Sequence, residues 1–318
     1  MKKLISVVAP MYNEEGLAHI YCQEMKKMTE SLAAQYDFEI ILVNDGSQDD
    51  TYSIMLEEQA LNPKEITTIC LTRNFGLEGA VNAGIRQAKG DAVVVMDADL
   101  QDPPHLIPEM IRKWENGADV VVGSRIKRSN DGFFKKAGAG FYYKVLDWLS
   151  GKLKLEKNAA NFRLLSRRAL DQVLALPEVN SVFRVVVPFV GMKTDIVEYD
   201  RDKRYAGTTK YNLKSMIPYA LDSICGISVE PLRKIMFIQL AAILWFLISI
   251  VAIFVSKGQW QTVWFLSMVV SAFFGLILLS LGIMAEYIGQ IMTEVKGRPI
   301  SVIYEYMPSG TAVERMKE

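Results

Sequence analysis

Two charge-free apolar runs near the C-terminus constrain this chain more than any other feature. Ile235 to Val255 reads IMFIQLAAILWFLISIVAIFV and Val263 to Ala285 reads VWFLSMVVSAFFGLILLSLGIMA, with no Asp, Glu, Lys or Arg in either. A helix needs ~20 apolar residues to cross the hydrocarbon core of a bilayer, and each run supplies them. Only SKGQWQT separates the two, and Trp260 and Trp264 stand where interfacial aromatics sit. Two such runs in succession argue against a pair of buried core helices and predict a transmembrane hairpin over residues 232–286, with spans 235–255 and 263–285. Arg233 and Lys234 precede the hairpin, Lys296 and Arg298 follow it, and the turn carries only Lys257. The positive-inside rule then places both termini and the large N-terminal part in the cytoplasm, on a multi-pass protein of the inner (plasma) membrane.

The rest of the chain is balanced in charge, 36 basic against 36 acidic residues, so no global field points to nucleic acid. Cys22, Cys70 and Cys225 are far apart and form no CxxC pair, which fits a reducing compartment and argues against a disulfide framework or a zinc site. The N-terminal MKKLISVVAPMYNEE lacks the long apolar core and small-residue cleavage site of a signal peptide and reads as a first strand.

Short apolar runs alternate with helical patterns through the first 230 or so residues. Strands are predicted at 4–10, 38–45, 66–72, 91–97 and 118–124, and helices at 15–35, 51–62, 79–88 and 104–116. That alternation predicts an α/β fold, a mostly parallel sheet covered on both faces. Ligands of such sheets bind at the carboxyl ends of the strands. Those ends carry Pro10 to Glu15, then Asn44-Asp45-Gly46-Ser47, Arg73 to Gly76, Asp97-Ala98-Asp99 and Gly123-Ser124-Arg125. Polar side chains and glycines therefore gather along one edge.

The segment VVVMDADLQD (93–102) runs a buried strand straight into Asp97, Asp99 and Asp102. Crowded carboxylates repel and lose hydration, so a positive group or water is expected among them. Neither GxGxxG nor GxxxxGK[ST] occurs. An Asp-x-Asp pair at the ligand edge then most simply holds Mg²⁺ or Mn²⁺, whose shell substrate phosphates complete.

Taken together, VVAPMYNEE (7–15), VNDGSQDDT (43–51), LTRNFGLEGAVNAGI (71–85), MDADLQDPP (96–104), VVGSR (121–125), FRLLSRRA (162–169) and RYAGTTKYN (204–212) resemble the family 2, GT-A fold glycosyltransferases of the polyprenyl-phosphate branch. That branch includes bacterial polyprenyl-phosphate glucosyltransferases and dolichol-phosphate mannose synthase. The resemblance implies a nucleotide sugar as donor, a lipid phosphate as acceptor and a divalent metal. It places Pro10, Tyr12, Glu14 and Asp45 on the nucleotide, Asp97 against ribose and metal, and Asp99 and Gln101 on the metal. Arg204 and Lys210 would close over the phosphates, and Arg163 would bind the acceptor phosphate. UDP-glucose and undecaprenyl phosphate are the expected substrates, with mannose or an amino-arabinose derivative as alternative sugars. A homo-oligomer is expected.

One position departs from that pattern. Many relatives carry an acid where this chain has Asn161, just before FRLL. An amide cannot take a proton, so a catalytically impaired sugar-nucleotide-binding scaffold is the alternative from another class. A processive polysaccharide synthase would bring more membrane spans and a QxxRW motif, and neither is found here. The predicted organisation is a catalytic domain over 1–212, an amphipathic interface helix over 213–231, the hairpin, and a cytoplasmic tail over 287–318. Lys127, Arg128, Lys135 and Lys136 flank Phe133 and Phe134, a combination suited equally to anionic headgroups and to a solvated surface.

Overall fold

The computed structural model describes residues 2–125, 159–178, 182–200 and 258–310, with a few positions between 240 and 248. They divide into two compact units, one built on a sheet and one holding a long helix.

The sheet has eight described strands: β1 (Lys3–Met11), β2 (Tyr36–Asn44), β3 (Ile66–Leu71), β4 (Ala92–Val95), β5 (Val120–Arg125), β6 (Ala159–Ser166), β7 (Thr194–Tyr199) and β8 (Ile303–Met307). Their order is β7-β5-β6-β4-β1-β2-β3-β8. The β4-β1-β2-β3 core and the β5-β7 pair are parallel. β6 runs antiparallel between β4 and β5, and β8 antiparallel along β3. The first strands are buried on both faces, as their unbroken apolar runs require. Val7 and Ala9 face one core and Val8 the other.

Helices cover both faces. α1 (Glu15–Leu32), α2 (Thr51–Leu61) and α4 (Ile107–Glu115, entered through a 3₁₀ turn at Pro104–Leu106) pack on the first core. α3 (Gly76–Gln87), α5 (Arg167–Leu174) and α6 (Phe183–Val190) pack on the second. α3 lies unusually close to the sheet at Gly84, where an added Cβ would stand 2.3 Å from Val8 Cγ1.

Three differences from the sequence reading matter. α3 begins at Gly76, not 79, because its first amides are capped from β2, a partner that local sequence does not reveal. β6 is an additional strand, whose Asn161 and Arg163 alternate with Phe162 and Leu164. Residues 287–318 are not simply a tail, since the last helix continues to Lys296 and β8 rejoins the sheet.

The second unit holds α7 (Gln259–Lys296), 38 residues ending at Gly297 in the left-handed region. At 1.5 Å per residue it is ~57 Å long, well beyond the ~30 Å core of a bilayer. Its stretch from Met268 to Lys296 is long and apolar enough to cross a membrane, and Phe274, Leu278 and Leu281 are exposed along it. The first apolar run lies almost wholly outside the described residues. So do the basic segment at 126–138, the amphipathic stretch at 213–231 and the loop bearing Arg204 and Lys210.

Candidate active site

The carboxyl-end loops of the parallel strands are tied to one another. After β1, the Asn13 amide N–H donates to Ser47 Oγ at 3.0 Å, and the Gln48 N–H donates to Asn13 Oδ1 at 2.8 Å. Glu14 N–H donates to Thr51 Oγ1 at 2.8 Å. Asn13 adopts φ 51, a left-handed conformation that Asn tolerates better than most residues. Pro10 is buried in β1, while Tyr12 and Glu14 are half-buried at the edge. The residues expected on the nucleotide thus share one polar edge.

Asp45 sits deeper than a nucleotide contact alone would need. Its two carboxylate oxygens accept from Phe75 N–H at 2.7 Å and Gly76 N–H at 2.9 Å, so it caps α3 from the end of β2. Burial pushes its pKa up to about 6, against the two amide bonds and the nearby Arg73 charge. Gly46 is the residue the turn requires. It has φ 65, and a Cβ there would stand 2.5 Å from the Arg73 carbonyl carbon.

The three acids after β4 divide into two kinds. Asp102 is fully buried and already neutralised. Arg125 Nη2 donates to its two oxygens at 3.1 and 3.2 Å, and the Tyr199 hydroxyl donates to Oδ1 as well. Asp97 and Asp99 remain at the strand end. Asp97 Oδ1 is buried without a hydrogen-bond partner, and burial, then Asp102 and Asp99, raise its pKa to about 6. Asp99 Oδ1 accepts from the Gln101 N–H at 3.1 Å. Leu100 between them has φ 54, a strained turn of the kind that gathers at functional sites. An orphaned carboxylate oxygen beside a second carboxylate fits a divalent cation. Among the described residues no group of three or more His, Cys, Asp or Glu forms a closed cage, so other ligands must complete the shell.

β6 lies antiparallel beside β4, with Arg163 paired with Val95, the last residue of β4, and Asn161 two residues before it on β6. The family resemblance implies Arg163 on the acceptor phosphate, yet it is only 2 % exposed. Its Nη1 donates to the Arg184 carbonyl at 3.3 Å. Burial, then the Arg184 charge, lower its pKa to about 10, with Glu78 acting the other way. The half-buried cation on this face is Arg184 of α6, whose Nη2 donates to Asn161 Oδ1 at 3.2 Å. Glu78 of α3 accepts from the Phe183 N–H at 2.7 Å, which fixes the start of α6. Sequence reasoning missed Arg184 and Glu78; the available signal was a lone Arg within the apolar VFRVVVPFV.

Residues 6–174 match the profile of Glycosyl transferase family 2. The chain is 38% identical over 305 residues to the glycosyltransferase YkcC of Bacillus subtilis, covering 94% of this chain and 92% of that one. The chain belongs to glycosyltransferase family 2. It is also 38% identical over 311 residues to the SfII prophage-derived bactoprenol glucosyl transferase of Shigella flexneri, covering 94% of this chain and 97% of that protein. Among solved structures it is similar to mannosyl-3-phosphoglycerate synthase from Rubrobacter xylanophilus, with a TM-score of 0.52 and 15% identity over 70% of this chain and 72% of that one. At that identity the likeness speaks for the fold, the GT-A sheet expected from the sequence. The family makes the chain a glycosyltransferase, and the acid pair after β4 lies at the carboxyl ends of the parallel strands.

Proposed function

We propose that this enzyme transfers glucose from UDP-glucose to a polyprenyl phosphate, undecaprenyl phosphate in a bacterium, with inversion at the anomeric carbon. The observation that carries the reading is 38% identity across 94% of the chain to a bactoprenol glucosyl transferase. An oxygen of the lipid phosphate attacks the anomeric carbon, the bond from that carbon to the diphosphate breaks, and UDP leaves. The nucleophile is already anionic at neutral pH, so positioning and charge stabilisation carry the rate rather than a base. Asn161 in place of an acid is compatible with that chemistry.

Pro10, Tyr12, Glu14 and Asp45 hold the nucleotide in this reading, with Asp45 also bracing the α3 loop beneath it. Asp97, Asp99 and Gln101 would hold Mg²⁺ or Mn²⁺, which when bound would supply charge neutralisation for the leaving diphosphate. Arg204 and Lys210, from a segment outside the described residues, close over the phosphates by family resemblance.

Chain connectivity supports the membrane assignment. β8 follows α7 and is hydrogen-bonded into the catalytic sheet. A chain that leaves a sheet and rejoins it ends on the side of the bilayer where it began, so it crosses an even number of times. If α7 is one crossing, the apolar run at 235–255 is its partner, with the catalytic domain in the cytoplasm. Purified enzyme is tested by UDP release from UDP-glucose. The release is expected to depend on added undecaprenyl phosphate and on divalent metal, and equal release with and without the lipid contradicts the reading.

A further inference from the structure

Arg184 combines three properties that no other described cation of the site shares. It is half-buried, not sealed in like Arg163 beneath it. It makes no ion pair within 4.0 Å among the described residues, although its charge favours the ionised forms of both Asp97 and Glu78. Its Nε is buried and has no hydrogen-bond partner. An unsatisfied buried N–H on a charged group is costly, so its presence here calls for an explanation.

The surrounding geometry holds the guanidinium in place. Glu78 ties the first turn of α6 to α3 through the Phe183 N–H, and the Arg184 carbonyl accepts from Arg163. Its Nη2 donates to Asn161 Oδ1 at 3.2 Å. A guanidinium only donates, so this bond fixes which end of the Asn161 amide is the oxygen and leaves Nδ2 as a second donor. Resting on the transferase reading above, we propose that Arg184 is a phosphate-binding residue of the transfer site, its solvent-facing guanidinium N–H groups taking phosphate oxygens while an Nη2 N–H orients the Asn161 amide. The fork geometry of arginine suits a phosphate, whether it belongs to the lipid acceptor or to the donor diphosphate.

The role of Asn161 follows. An acid at that position would accept from Arg184 as a charged pair and spend the cation that the phosphate needs. Asn161→Asp is therefore expected to weaken phosphate binding, not to install a free base.

Binding to the full-length protein in detergent tests this without relying on turnover. Two affinities are measured: UDP in the presence of Mn²⁺, and a polyprenyl phosphate against its parent alcohol. Arg184→Gln is expected to weaken one of the two phosphate ligands at least tenfold while leaving the alcohol unchanged. Loss on the lipid identifies the acceptor, and loss on UDP identifies the donor. Arg184→Lys should fall between wild type and Gln, and Asn161→Asp should weaken the same ligand. Both affinities within twofold of wild type in Arg184→Gln overturn the proposal. So does weakening that only accompanies a lower melting temperature and that Lys does not rescue. If the Gln variant does not fold, Arg184→Lys and Asn161→Asp decide on the same affinities. Glucose transfer by wild type, measured separately, judges the transferase reading on its own.

Discussion

Asp97, Asp99 and Asp102 look equivalent in sequence and are not equivalent in the folded chain. Asp102 is completed by Arg125 and Tyr199, whereas Asp97 keeps an unpaired oxygen beside Asp99. Opposite phenotypes follow. Asp99→Ala should abolish transfer and metal-dependent binding of UDP-glucose while shifting the melting temperature little. Asp102→Ala strands a half-buried arginine, and breaking such a pair costs ~3 kcal/mol, read as a lower melting temperature. A chelated wild type that turns over normally, or an Asp102→Ala protein as stable as wild type, contradicts this division of labour. Asp45 gives a pH signature. Its folded pKa, about 6, lies above the ordinary 3.8, so folding favours the protonated form. Its contribution to stability is fullest below pH ~4 and is lost as pH rises through ~6. The stability difference between wild type and Asp45→Asn should therefore move against wild type across that range; movement the other way contradicts the burial of this carboxylate.

At the scale of elements, β8 caps an edge that would otherwise stand open. It pairs with β3 from Thr68 to Leu71, and Glu305 accepts from the Tyr52 hydroxyl at 2.6 Å across 253 positions of chain. A chain ending at Gly297 loses this strand and exposes the β3 edge to other molecules. It should melt at lower temperature and aggregate, and a truncated protein as stable as the full chain argues that β8 is dispensable. The same strand shows where sequence reading stops. The parallel core was legible because each strand and its following helix carry their own periodicity, and the acid pair was legible because ligands gather at strand ends. β8 was not, since YEY is a short polar-aromatic stretch whose partner lies far upstream. Arg184 gains its meaning only once α6 is laid across β6, and the cap from Asp45 to α3 spans two strand-end loops. Contacts between distant segments, not local propensity, supplied what was missed.

At the scale of the whole molecule, one chain carries both the sheet of a glycosyltransferase and a helix long and apolar enough to cross a membrane. Topology is checked with single cysteines, in a background lacking Cys22, Cys70 and Cys225, using a membrane-impermeant thiol reagent on intact cells. A cysteine replacing Gln259 should react, and one replacing Tyr304, which is 73% exposed, should react only after permeabilisation. The reverse pattern contradicts a cytoplasmic catalytic domain. Transfer to the lipid is tested most directly by following the sugar itself. Purified enzyme is given UDP-glucose labelled in the sugar, undecaprenyl phosphate and Mn²⁺, and the lipid phase is analysed. The label is expected in a phosphate-linked glucosyl lipid of β configuration, inverted from the α-linked donor. Label that stays in water as UDP-glucose or free glucose, or a lipid product with retained configuration, contradicts the proposed transfer.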